Sequence, residues 1–403
     1  MLPTYLVDEH SALPAPIAYG RIRTLFQTFH HRRPSFSGCR LTDLEPTARN
    51  SRFGISSAVV SAPIENFPII TLLHTITSML ARSPYVRVIA LDFSKAFDSV
   101  RHSTFLHKVS SLSLPDEVYN WIKDFFEHRS HCTRLCEEYS EIIDILASVI
   151  QGSALGPATF VINGGDLHPV AEGNDLLKYA DDTYLIVPAE NSPSCEDELH
   201  YIKQWATANN LHLNQSKSAE IIFLPRGTRS THVKPPSLIT GIKRVNSIKA
   251  LGVTLSSELS MSAHVCSILE SCSRAMYGLR TLTAHGMQKE CLHEVFRSTI
   301  LARLTYASPA WSGFCSADDI KKLDSFINKS KKSDYCNSKS PPVKQLFAEA
   351  DISLFKSVLT NRNHLLYPLL PAANTQHYEL RTRPHNLTLT RKSCHYDNFC
   401  NFI

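Results

Sequence analysis

The segment Tyr179-Ala180-Asp181-Asp182 places two adjacent carboxylates between β-prone runs, Leu176-Leu177 before and Thr183-Tyr184-Leu185-Ile186-Val187 after. That pattern predicts a hairpin with an acidic tip. Two like charges held at one edge of a sheet repel, and only solvent or a metal cation relieves them. A third carboxylate lies upstream: the run Val86-Arg87-Val88-Ile89-Ala90-Leu91 predicts a buried strand ending at Asp92, followed by Phe93-Ser94-Lys95-Ala96-Phe97-Asp98. If that strand lies beside the hairpin, Asp92, Asp181 and Asp182 converge. Three carboxylates at a sheet edge can hold two divalent ions, which is what two-metal phosphoryl or nucleotidyl transfer requires.

Four blocks in order, VIALDFSKAFDSVRH, QGSALGPATF (Gln151 to Phe160), LLKYADDTYLIV and LHLNQSKS (Leu211 to Ser218), resemble the reverse transcriptases of non-LTR, LINE-like retrotransposons, over about Phe53 to Trp311. The resemblance implies an α+β right-hand polymerase: fingers and palm over 53–225, a linker and primer-contacting turn over 226–252, a helical thumb and connection over 253–340, and a tail over 341–403. A loosely ordered lead-in, 1–52, precedes them. It further implies an RNA-directed DNA polymerase that extends a DNA primer on an RNA template with deoxynucleoside triphosphates and two Mg²⁺ ions, Mn²⁺ being a possible substitute. Asp92 and Asp181 match the family's metal-binding pair and Asp182 its third acidic position. Phe97 matches the bulky residue under the incoming sugar, where a ring excludes a 2′ hydroxyl. Gln151 and Gly152 match the loop along the template strand and nascent base pair, and Tyr179 is counted among the substrate contacts. Lys217 matches a lysine whose ammonium approaches the leaving pyrophosphate as a general acid.

Several of these residues also have plainer readings. Phe97 fits a core ring beneath the following helix, and Lys217 fits a solvated surface lysine. Asp98, before Ser99 and His102, reads as a helix cap rather than a ligand. Ile150 stands where the family usually has Pro, and Arg52-Phe53-Gly54-Ile55-Ser56-Ser57 keeps only Phe-Gly of the expected upstream block. Those departures support an alternative, a catalytically silent, truncated remnant that only binds nucleic acid. No endonuclease block is visible before Phe53, so a longer polyprotein is expected around such a chain.

At 403 residues and 43% hydrophobic, the chain is long enough for two or three cores, and its net charge of +5 is a weak pointer to a polyanionic partner. The distribution says more: Lys217 to Arg280 holds nine Lys or Arg against three Glu and no Asp, a candidate nucleic-acid track. The 11 cysteines form no C-x-x-C pair, which predicts reduced thiols in an intracellular compartment, nucleus or cytoplasm. No apolar run approaches 18 residues, so no membrane span is expected. His128, His131, Cys132 and Cys136 invite a zinc reading, with surface polarity and packing as the favoured account.

Periodicity predicts a helix from Ile69 to Arg82, another opened by Pro115-Asp116-Glu117, short strands near Thr133 to Cys136 and Ile142 to Val149, and a helix starting at Gly156-Pro157. A helix from Glu196 to Asn209 and a strand from Ala219 to Leu224 complete one sheet layer, expected to carry helices on one side. Pro225 to Gly241 reads as a linker, and Val253 to Ala284 as helical for most of its length.

Overall fold

The computed structural model describes residues 66–149, 153, 155–225, 234–371 and 387, all within a unit spanning Ser61–Ile403. The lead-in, the Phe53-Gly54 block and the Gln151-Gly152 pair lie outside the described residues. In chain order, α1 (Asn66–Leu80) leads into β1 (Val86–Leu91). Then come α2 (Ala96–Ser99), α3 (His102–Ser110), α4 (Asp116–Phe126), α5 (Gly156–Asn163), the hairpin β2 (Asp175–Tyr179) and β3 (Asp182–Pro188), α6 (Cys195–Ala208), β4 (Ala219–Phe223) and β5 (Lys243–Arg244). A second hairpin, β6 (Ser247–Ala250) and β7 (Val253–Ser256), precedes the helices α7 (Ser262–Ala284), α8 (Ala317–Lys332) and α9 (Val343–Thr360). The fold is mixed α+β, as expected.

Among the described residues the main sheet has the order β5-β4-β1-β3-β2. All its pairings are antiparallel except β4 with β5. Strand β1 is central because its run is apolar on both faces: Val86, Val88 and Ile89 are 0% exposed. Helices therefore cover both sides of the sheet, not one. Val86, Val88, Tyr184, Ile186, Ile221 and Phe223 face α1, meeting Ile69, Leu72, Leu73 and Ile76. On the other face α6 packs, with Trp205 edge-on to Phe93 and the Cys195 thiol beside Arg87.

Arg87 is a buried cation in a central strand, tolerable only if paired. Its Nε lies 2.9 Å from Glu220 Oε1, and Arg244 Nε lies 2.8 Å from Glu220 Oε2. Both guanidinium groups also donate to the Ser237 carbonyl. This clasp ties β1, β4 and β5 to the chain at 236–237.

The same core continues through β6, β7, α7, Trp311, α8 and α9 to Leu366. Two expected boundaries change accordingly. The division at 252/253 falls in the turn of the β6–β7 hairpin, because Val253 to Ser256 is a strand and helix begins only at Ser262. The expected tail opens with an 18-residue helix, α9. Val343, Phe347, Leu354 and Val358 recur at helical spacing along it and are buried. Strands expected at 133–136 and 142–149 are instead two-residue ladders, Ser130–His131 with Ile143–Asp144 and Arg134–Leu135 with Glu138–Tyr139. Their residues are exposed, so no buried face specifies a longer register. Asp98 caps nothing: it lies inside α2, and α3 starts after Arg101 without a side-chain cap.

Candidate active site

The hairpin register builds the site. Tyr179 pairs with Asp182 across a two-residue turn, Ala180-Asp181, and Ala180 takes a φ of 52°, the positive value that hairpin turns with matching twist require. On the other side β3 pairs with β1 up to Leu91 opposite Thr183. One further step of that register sets Asp92 opposite Asp182, on the same face of the sheet. The structure thus gathers Asp92, Asp181, Asp182 and Tyr179 at one sheet end.

Electrostatics agrees with the register. Crowding by surrounding protein, and then the like charges of Asp181 and Asp92, hold the Asp182 carboxyl above its ordinary range. Asp182 remains exposed to solvent, and the second cause sets its carboxyl within Coulombic reach of both Asp181 and Asp92.

Neighbouring side chains fix the backbone that carries these acids. Asp92 N donates to Ser218 Oγ (3.1 Å), and Asp92 O accepts from Asn214 N (2.8 Å). Ser218 Oγ in turn donates to Asn214 O. The turn from Asn214 to Ser218 therefore lies against Asp92, and it carries the exposed Lys217, whose N–H is held by Asn214 Oδ1. Upstream of the hairpin, the fully buried Glu198 accepts from Val170 N, Ala171 N and Asn174 Nδ2, setting the loop that enters β2. Ser218, Asn214 and Glu198 were not singled out in the sequence. The first two fall inside the LHLNQSKS block, but Glu198 looks like any acidic residue in the first turn of a helix.

Phe97 is half-buried on α2, its ring 4.9 Å from that of Phe160 on α5 and tilted 35° to it. Ser148 N and Val149 N donate to Val100 O and Phe97 O, pinning to α2 the residues just before Gln151. Of the basic stretch, Arg244 is committed to Glu220 and so is not part of a free track; Lys243 and Lys249 are exposed. Among the described residues, no group of three His, Cys, Asp or Glu is arranged to hold a metal ion, and His128, His131, Cys132 and Cys136 form none. In chemical kind the three aspartates suit a hard divalent cation: they are all-oxygen donors whose mutual repulsion such an ion would relieve. Also among the described residues, no helix is long and apolar enough to cross a membrane.

Residues 41–255 match the family described as "Reverse transcriptase (RNA-dependent DNA polymerase)", and the chain belongs to that family. Within it, the chain is related to the reverse transcriptases of non-LTR retrotransposons. It is 27% identical over 248 residues to the RNA-directed DNA polymerase from mobile element jockey of Drosophila melanogaster, covering 58% of this chain and 26% of that protein. It is 30% identical over 205 residues to the jockey enzyme of Drosophila funebris (48% and 22%). To the probable RNA-directed DNA polymerase from transposon X-element of Drosophila melanogaster it is 26% identical over 258 residues (61% and 28%). The chain thus spans about a quarter of the length of these relatives. Among solved structures, a telomerase from Candida tropicalis in complex with a fragment of telomeric RNA aligns over 74% of this chain and 50% of that one, at 13% identity and a TM-score of 0.40.

Proposed function

We propose that this chain is an RNA-directed DNA polymerase of a non-LTR retrotransposon, extending a DNA primer on an RNA template. The observation that carries the reading is the register that ends β1 with Leu91 opposite Thr183, so that Asp92 follows directly at the end where β3 begins with Asp182 and the turn carries Asp181. Asp92, Asp181 and Asp182 would hold divalent cations, Mg²⁺ or Mn²⁺. Such ions, when bound, neutralise triphosphate charge and lower the pKa of a primer hydroxyl. The protein's own contribution is placement. Ser218 and Asn214 fix the Asp92 backbone, and Lys217, carried on the same turn, would donate a proton to departing pyrophosphate. Phe97 would sit under the incoming sugar, and Gln151 and Gly152 would follow the template. Residues 53–225 serve as fingers and palm, and the helices from Ser262 as thumb. Lys243 and Lys249 offer charge to the duplex backbone. An intracellular site of action, nucleus or cytoplasm, follows from that role.

Primer extension on poly(rA)/oligo(dT) with Mg²⁺ or Mn²⁺ tests the reading. The wild-type chain should extend, and Asp92→Asn and Asp181→Asn should each lower extension at least ~100-fold while template binding stays intact. A wild-type chain that binds primer-template without extending it would replace this reading with the silent binding remnant.

A further inference from the structure

Two lysines close the C-terminal end of α5, and one of them comes from the strand that leads into the acidic hairpin. Helix α5 ends at Asn163, and the chain leaves it through Gly164-Gly165. Lys178 Nζ, from β2, donates to Gly164 O and Leu167 O, each at 2.6 Å. Lys108 Nζ, from α3, donates to Asn163 O (2.5 Å) and to Asp166 Oδ1 (2.8 Å). The same Asp166 oxygen accepts from Trp205 Nε1 on α6 (3.0 Å), and the Lys108 ammonium lies 5.3 Å from the centre of that indole. Cations placed here meet the carbonyls that a helix end leaves unpaired, at the negative pole of its dipole. The buried Asn163 side chain finds no partner among the described residues, so it is not what holds the turn. Gly165 allows the turn its tightness: an added Cβ would press on Ile162 O at 3.1 Å.

The place of Lys178 in the sheet gives this cap a second use. Lys178 pairs with Thr183, one step from the Tyr179–Asp182 pair that closes the hairpin. Its side chain therefore leaves the sheet on the face opposite to Asp182. At the far end of the connection is α5, whose Phe160 ring lies 4.9 Å from that of Phe97. The strand that carries the acidic tip is thus tied directly to the helix on which Phe97 rests. With two donors of a half-buried ammonium fixed in one turn, β2 and α5 have little play against each other.

We infer that Lys178, seconded by Lys108, is a positioning residue. It sets α5, and through Phe160 the Phe97 ring, at a fixed distance from the hairpin carboxylates, so that the sugar and the triphosphate of an incoming nucleotide meet the two parts of the site together. The inference rests on the polymerase reading above.

Lys178→Met removes the ammonium and keeps an apolar stem, Lys178→Arg keeps charge and donors, and Lys108→Met loosens the same turn from α3. Thermal midpoint, hydrogen exchange of peptides covering 156–167 and 175–183, and single-nucleotide kcat and KM for dTTP on poly(rA)/oligo(dT) are measured on each full-length variant. In Lys178→Met, KM should rise about 10-fold, the scale of a lost charge-assisted hydrogen bond, with kcat per folded molecule changing less and exchange faster in both peptides. Lys178→Arg should recover most of the KM. Lys108→Met should raise KM in the same direction, which keeps the inference open to refutation should Lys178→Met not fold. Unchanged KM in the two methionine variants, with wild-type extension intact, would overturn the positioning role alone, even if the midpoint falls, because a plain helix cap alters the folded fraction and not KM. Exchange that quickens only over 156–167 would overturn it as well. A wild type that does not extend removes the reaction being positioned and overturns both readings.

Discussion

Phe97 carries two readings that make opposite predictions. Its ring packs 4.9 Å from Phe160 yet is only half-buried, so one side lies in the core and the other is left open. Phe97→Ala should change the preference between dTTP and UTP far more than the rate with dTTP, read by single-nucleotide incorporation. A purely packing ring would instead cost about 3–5 kcal/mol and lower all rates together, and unchanged sugar preference in a destabilised variant would remove the gate. His264 yields a prediction in pH. Its Nδ1 accepts from Thr254 N, and burial, followed by the Lys249 charge, pushes its pKa down to about 4. A histidine depressed from about 6.5 in the unfolded chain favours the fold while neutral. Its contribution is complete above about 6.5 and is lost as pH falls from there through about 4. The thermal midpoint should drop between pH 7 and pH 5 less in His264→Asn than in wild type; equal drops would clear His264. At this scale the acids were legible because adjacent carboxylates between β-prone runs have few uses. Ser218, Asn214 and Arg244 were not, since whether a polar side chain serves a ligand or another residue depends on contacts more than 20 residues away.

Elements were read well where burial imposes a period and poorly where it does not. Strand β1 has the bounds expected of it, and α1, α4, α5 and α6 lie within a few residues of theirs, because each presents a sequence-visible apolar run or stripe. The two-residue ladders at 130–144 have nothing buried to define them, and the four residues of β7 are too short an apolar run to be told by pattern from the start of the helix that follows. Helix ends are governed by polar side chains, and α8 makes a test of this. Ser316 Oγ accepts from Asp319 N while Asp319 Oδ2 accepts from Ser316 N, a reciprocal capping box. The same Oδ2 accepts from Ser262 Oγ at the start of α7 (2.9 Å), so one carboxylate organises the first turns of two helices. Ser316→Ala should cost about 1 kcal/mol in urea unfolding, and Asp319→Ala more, up to about 2 kcal/mol. The double variant should cost less than the sum, because both belong to one motif. Full additivity would show that the box is not a unit.

Over the whole molecule, the described residues that flank the sheet and those of the C-terminal helices share a core rather than meeting as separate bodies. Cluster members run from Ile69 through Val88, Tyr184, Leu255 and Trp311 to Leu354 and Leu366. A division into palm, thumb and tail, taken from the family resemblance, follows the order of function along the chain, whereas packing follows apolar surface wherever it occurs. The two conflict most sharply after 340. Ending the chain there would remove α9 and with it the buried Val343, Phe347, Leu354 and Val358. It would also expose Trp311, whose ring packs edge-on against Phe347 at 5.3 Å. Each fully buried apolar side chain is worth about 1.5–3 kcal/mol. Four of them rival the roughly 5–15 kcal/mol that holds a whole domain folded. A chain truncated after Ser340 should therefore lose its cooperative thermal transition or aggregate on expression, while one ending after Pro371 should keep a midpoint near that of the full chain. Circular dichroism melts of the two truncations against the 403-residue protein decide the matter. An unperturbed midpoint for the shorter chain would restore 341–403 to the standing of a tail, and would mean that the site at Asp92 and Asp182 is supported without α9.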